Sequence, residues 1–92
     1  MIRIATVCGM GLGTSMMLKL TIQKILRDEG IAATVDPVDL GSFKTMQADV
    51  VVAPTDMGAQ VSGTPARVVL IDNLIDKEEI RRKVVAVLRA EG

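Results

Sequence analysis

Short apolar runs alternate with stretches of helical periodicity from one end of this 92-residue chain to the other. That alternation restricts the fold more than any other property of the sequence. Four runs read as strands: Ile2–Val7, Ala33–Val38, Asp49–Ala53 and Arg67–Ile71. Two of them contain Val50-Val51-Val52-Ala53 and Val68-Val69-Leu70-Ile71, apolar at every position rather than at every second one. A strand with no polar face must be covered on both sides, as strands of parallel sheets are. Between the runs lie helical patterns. The first is expected from Thr14 to Asp28, with Leu18, Ile22, Ile25 and Leu26 as its core stripe and Gly30 as its C-terminal stop. The last is expected to start at Asp76, with Glu79 placed as in a capping box and a stripe of Ile80, Val84, Val87 and Leu88. Arg81, Arg82, Lys83 and Arg89 fall outside that stripe. Ser42 is the expected cap of a short helix between Asp39 and Ala48. The segment from Pro54 to Pro65 reads as a loop with a helical turn near Asp56–Gln60.

Strands alternating with helices imply a parallel sheet with helices on both faces. Right-handed crossovers then favour an open four-stranded sheet in the order 2-1-3-4, within a single domain spanning residues 1–92. Ligands of such sheets bind outside the carboxyl ends of the strands where the order reverses, here between strands one and three. The residue at the end of strand one is Cys8.

Cys8 is the one cysteine of the chain and opens the run Gly9-Met10-Gly11-Leu12-Gly13-Thr14-Ser15. Alternating glycines allow backbone turns that aim several N–H groups into one concavity. A helix N-terminus behind them adds unpaired N–H groups and the positive end of its dipole. The run therefore reads as an anion cradle with a thiol at its mouth, biased toward the nucleophilic thiolate. A lone cysteine is often an inert core residue, and a glycine-rich turn often only a connection. The two together, at a strand–helix junction on the switch point, favour a site.

Composition narrows the chemistry. Eleven basic residues balance eleven acidic ones, so no large basic footprint for nucleic acid is expected. No stretch nears the ~18 apolar residues of a membrane span, and Met1–Val7 reads as a strand rather than a leader. A single cysteine forms no internal disulfide and suits a reducing cytoplasm. The chain has no histidine, which removes an imidazole base, a phosphohistidine and most metal sites; no metal or cofactor is expected. Phe43 is the one aromatic residue, so a lined pocket for an organic substrate is not expected.

Several phosphate-binding motifs fail on the residues. No lysine lies between Arg3 and Lys19, so the loop of NTPases is excluded. Gly9-Met10-Gly11-Leu12-Gly13 spaces its glycines differently from the dinucleotide fingerprint, although Asp36 sits near the place of the ribose-binding acid. The low-molecular-weight tyrosine phosphatases, whose fold this pattern resembles, use Cys-x5-Arg-Ser/Thr. Here Ser15 matches that motif, but Thr14 stands at the arginine position. The Asp-Pro pair of those enzymes comes late in the chain, whereas Asp36-Pro37 follows strand two. The loop can hold a phosphoryl group on sulfur but lacks the parts that pass it to water.

The run Ala5-Thr6-Val7-Cys8-Gly9-Met10-Gly11-Leu12-Gly13-Thr14-Ser15-Met16-Met17-Leu18-Lys19 resembles the IIB component of the phosphoenolpyruvate-dependent sugar phosphotransferase system, most closely its ascorbate-type branch. Asp49-Val50-Val51-Val52-Ala53, Asp72-Asn73-Leu74 and Asp76-Lys77-Glu78-Glu79 add weaker support. The resemblance implies a cytoplasmic phosphotransferase component. In it Cys8 would take a phosphoryl group from a phosphohistidine of the IIA component and pass it to a sugar, ascorbate by the branch, held by the membrane permease IIC. Gly9, Met10, Gly11, Leu12, Gly13, Thr14 and Ser15 would cradle the group. The residues Pro54-Thr55-Asp56-Met57-Gly58 match the family less well, which bears on the sugar more than on the chemistry. Met16 and Leu20 fall opposite the core stripe of the first helix, on the side of Gln23 and Arg27. They are candidates for partner docking, with packing on a neighbouring helix as the plain alternative. A phosphatase-like enzyme and a nucleotide-binding regulatory module remain the competing functions.

Overall fold

The computed structural model describes residues 2–7 and 12–91, with side chains described in α1 from residue 16 onward and in α4 up to residue 90. In chain order the elements are β1 (Ile2–Val7), α1 (Leu12–Glu29), β2 (Ala33–Val38), α2 (Leu40–Thr45), β3 (Val50–Pro54), a 3-10 turn (Thr55–Met57), α3 (Gly58–Val61), β4 (Arg67–Ile71) and α4 (Lys77–Glu91). The strands form one sheet in the order β2-β1-β3-β4, parallel at every pairing. This is the order expected from right-handed crossovers.

The apolar runs divide between the two faces by strand alternation. Ile4, Val50, Val52, Val69 and Ile71 pack under α1 and α4, against Leu18, Ile22, Ile25, Leu26, Ile80, Val84 and Leu88. Ala5, Val7, Val51 and Ala53 face the other way, onto Phe43 of α2 and Val61 of α3. Both expected helix stripes therefore lie in the core, with Val87 half-buried at its margin. The short helices supply much less side-chain mass to their face, which is why the single phenylalanine lies there, fully packed.

The helix ends differ in detail from the sequence expectation. α1 starts at Leu12 rather than Thr14, so Leu12 and Gly13 join Thr14 and Ser15 in its first turn instead of belonging to the preceding loop. Its other end behaves as expected. Gly30 takes φ 68°, and the amides of Gly30 and Ile31 bond back to Arg27 and Leu26 at 3.3 and 3.0 Å. Such a left-handed residue closes a helix without steric penalty only as glycine. Ser42 is not the cap of α2. Asp39 is, its carboxylate accepting the Ser42 amide at 2.8 Å, because the oxygen must come from a residue outside the helix. That contact holds the Asp39 carboxyl below its usual range.

β3 begins one residue later than expected. Asp49 stands at its head, exchanging backbone and side-chain bonds with Arg3, while its carbonyl accepts the Arg67 amide at 2.9 Å. It ties the amino ends of the three strands β1, β3 and β4. The turn expected near Asp56–Gln60 is present as the 3-10 turn running into α3.

Candidate functional site at the carboxyl edge of the sheet

The switch point of this sheet lies between β1 and β3, whose ladder runs through Ile4–Val50, Ala5–Val51 and Thr6–Val52. Beyond it, β1 ends at Val7 and the chain re-enters regular structure at Leu12, the start of α1. Cys8, Gly9, Met10 and Gly11 lie outside the described residues, as do the side chains of Leu12, Gly13, Thr14 and Ser15. The backbone of the latter four is helical. In a first turn the amides of Leu12, Gly13 and Thr14 have no intrahelical acceptor. The sequence expectation that these residues offer backbone donors therefore persists, but with helix geometry and the helix dipole behind them.

β3 leaves the same edge through the Thr55–Met57 turn, and β4 through the Asp72–Asp76 loop. A polar network joins these two exits. Glu79, on the first full turn of α4 and 6% exposed, accepts the amides of Asp72 and Asn73 at 2.7 and 3.0 Å. Lys83, one turn on, donates to the same carboxylate at 2.7 Å and to the Leu70 carbonyl at 2.8 Å. Asp72 in turn accepts the Thr55 hydroxyl at 2.5 Å and lies 3.7 Å from the Lys83 ammonium.

This corrects the expected capping box. Asp76 caps α4 as anticipated, accepting the amides of Glu78 and Glu79 at 3.1 and 3.2 Å. Glu79 does not return the bond, for the Asp76 amide is taken by the Asn73 carbonyl and the glutamate is drawn to the loop instead. Lys83, expected only to fall outside the apolar stripe, is half-buried in the network. Sequence reading passed over Thr55, Asp72 and Lys83 as site-edge residues; the Glu79–Lys83 spacing of four was the available signal.

The network has a pH signature. The bonded Lys83 ammonium first, then the Asp72 and Asn73 amides, hold the Glu79 carboxyl at about 2, against burial, which pushes it up from 4.5. A carboxylate with a lowered folded-state pKa stabilises the fold above its unfolded value and loses that contribution as pH falls through the folded one. Stability should therefore decline on acidification between about 4.5 and about 2. Glu29, bonded to Arg81 and Arg89, and Asp39 are also lowered and act in the same direction. Urea titrations of wild type and Glu79→Gln isolate the Glu79 share: the variant should be weaker at neutral pH and should lose stability less steeply in that window. Parallel acid curves would show that the Glu79 carboxylate contributes nothing.

Met16 and Leu20 are 44% and 59% exposed, and Met17, one position along, is 62% exposed. Met16, Met17 and Leu20 occupy the exposed side of α1 together with Gln23 and Arg27, as the helical spacing predicts, and Leu20 borders a groove whose far wall is Lys77, Glu78 and Arg81 of α4. A concavity of about 530 Å³ lies elsewhere. It opens at the amino ends of β3 and β4 beside Phe43, Asp49 and Arg67, away from the switch point. Among the described residues no group of His, Cys, Asp or Glu side chains could hold a metal ion. Among them, too, no helix is long and apolar enough to cross a membrane.

A family model described as the lactose/cellobiose-specific IIB subunit of the phosphotransferase system matches residues 3–85. An ascorbate-specific phosphotransferase system EIIB component of Mycoplasma pneumoniae is 31% identical over 90 residues, covering 95% of each chain. One of the same description from Shigella boydii is 28% identical over 92 residues, covering 97% of this chain and 91% of its own. Among solved structures, the lactose-specific IIB domain of Streptococcus pneumoniae superposes with a TM-score of 0.62. It covers 98% of this chain and 93% of its own at 14% identity, a likeness of fold alone. With an open parallel sheet of this order and a thiol-bearing glycine run between β1 and α1, the chain belongs to the IIB components of the sugar phosphotransferase system, which are phosphotransferases.

Proposed function

We propose that the chain is a cytoplasmic phosphocarrier in which Cys8 receives a phosphoryl group from a phosphohistidine of IIA and delivers it to a sugar held by the permease IIC. The observation that carries this reading is the position of the sole thiol. In sequence it follows the last residue of β1, a strand at the switch point of the sheet, and precedes the first residue of α1 by four. In the first step the Cys8 sulfur attacks phosphorus, an S–P bond forms, and the P–N bond breaks with its electron pair leaving on the imidazole. In the second a sugar hydroxyl attacks, an O–P bond forms, the S–P bond breaks with its electron pair leaving on sulfur, and the hydroxyl proton ends on the departing thiolate. Charge spreads over the equatorial oxygens in both steps. Gly9, Met10, Gly11, Leu12, Gly13 and Thr14 offer N–H groups to those oxygens, with the Thr14 and Ser15 hydroxyls as additional donors. No sugar pocket is required of such a carrier, and the single aromatic residue is consistent with that division of labour. The relatives named for ascorbate support ascorbate as the sugar.

Incubation with phosphoenolpyruvate, the general phosphotransfer proteins and a cognate IIA should add the mass of one phosphoryl group. Failure to take up phosphate from any IIA encoded beside it would refute the relay.

Met16 and Leu20 form the docking patch in this reading. Because both are exposed, Met16→Glu and Leu20→Glu should leave thermal unfolding unchanged. Each should raise the half-saturating concentration of phospho-IIA, or of permease, about 10-fold, the scale of a contributing interface residue. Normal kinetics in both variants would make the patch incidental.

A further inference from the structure

Glu79 stands at the capping-box position three residues after Asp76, yet its buried carboxylate is spent on two loop amides. With Lys83 on the Leu70 carbonyl, it fixes successive points along the exit of β4: Leu70, Asp72 and Asn73. Fixing the Asp72 backbone also aims its side chain, which is 74% exposed yet bonded to Thr55. Thr55 is the first residue of the turn leaving β3, the strand beside β1. That turn is held at its other end too. A Cβ at Gly58 would come within 3.0 Å of a Leu70 methyl, so the backbone there already lies against β4. The turn is thus anchored onto β4 by Thr55 at one end and Gly58 at the other, next to the strand that delivers the chain to residue 8.

We propose that Glu79 and Asp72 are positioning residues of the phosphoryl relay, acting through Thr55 to hold the turn after β3 fixed beside the carboxyl end of β1, the strand that precedes Cys8 in the chain. The proposal rests on Cys8 being the phosphoryl acceptor. Neither carboxylate touches the transferred group. Their effect is on the geometry in which donor nitrogen, phosphorus and sulfur line up, where misplacement of about 1 Å costs up to about 10²-fold.

The test is the single-turnover rate of phosphorylation by phospho-IIA, measured against its concentration. Thr55→Val and Glu79→Gln should each lower the rate at saturation about 10-fold while leaving the half-saturating concentration unchanged. Thr55→Ser, which keeps the hydroxyl, should restore the rate. The double variant should be no slower than the slower single one, because both cut the same chain of contacts. Should Glu79→Gln fail to fold, Asp72→Ala takes its place in the cycle with the same expectations. Variants equal to wild type, losses that multiply in the double variant, or a change confined to the half-saturating concentration would each overturn the proposal. A wild-type protein that accepts no phosphoryl group would instead defeat the relay reading itself.

Discussion

Cys8→Ser should take up no measurable phosphoryl group from phospho-IIA, a loss of at least ~10³-fold in rate, while folding as wild type does. The expected size follows from the nucleophile. A free thiol already supplies a few per cent thiolate at neutral pH, the form that attacks phosphorus. A serine hydroxyl stays protonated unless a base removes its proton, and general-base assistance is itself worth ~10²–10⁴-fold. The chain has no histidine to act as that base. Serine also removes the one thiol through which the group could pass, so no other cysteine can take over. Intact-mass measurement after incubation with the donor proteins reads the result directly, and circular dichroism confirms the fold. Labelling that survives the substitution would place the phosphoryl group elsewhere and end the assignment of Cys8.

Turnover of aryl phosphates should be negligible, on the order of 10⁴-fold or more below that of an ordinary cysteine phosphatase. Attack on a phosphomonoester needs an acid to protonate the departing oxygen, worth ~10²–10⁴-fold. Hydrolysis of the thiophosphate needs a cationic clamp on the equatorial oxygens, worth ~10²–10³-fold. Thr14 stands where the phosphatases carry that arginine. Asp36-Pro37 lies within β2 rather than after it, on the far side of β1 from β3. Asp72, at the exit of β4, has its carboxylate engaged by the Thr55 hydroxyl and flanked by Lys83. The phosphorylated protein should accordingly persist in buffer until an acceptor arrives. Release of nitrophenol at a phosphatase-like rate, abolished by Cys8→Ser, would make the chain a hydrolase.

Strands and core were legible because burial on both faces leaves a local mark. Val50, Val51 and Val52 are apolar in succession, and all are fully buried. The stripe of α1 was legible for the same reason, since a period of 3.6 residues is written directly into Leu18, Ile22 and Ile25. Polar side chains carry no such mark. Asp39 and Ser42 are both good caps by composition, and only the position of the helix axis decides that one accepts and the other donates. Glu79 matched a local pattern but answered a non-local demand, the unpaired amides of a loop that returns over the start of α4. The start of α1 was placed too late because Gly13 lowers helix propensity by about 1 kcal/mol, a weak prior that the fold overrides. For the site, the sequence located the thiol, the glycine run and the exposed methionine face. It could not reveal that Thr55 and Asp72 meet, because they come from different strands and meet only at the edge of the assembled sheet.

The chain measures 30 by 25 by 17 Å, and its sheet has a single switch point, between β1 and β3. In the proposed relay one sulfur serves both partners, so donor and acceptor would have to reach the same atom in turn. A complex with IIA and a complex with the permease would then exclude each other. Every sugar delivered then requires one partner to depart before the other arrives, and residence time becomes a ceiling on flux. With association at ~10⁶–10⁷ M⁻¹s⁻¹, a dissociation constant near 1 nM would hold each partner for minutes. One near 10 μM would release it within about a tenth of a second. A carrier with one such sulfur is driven toward weak partners. Variants that bind IIA more tightly should slow transport, however much faster they become phosphorylated.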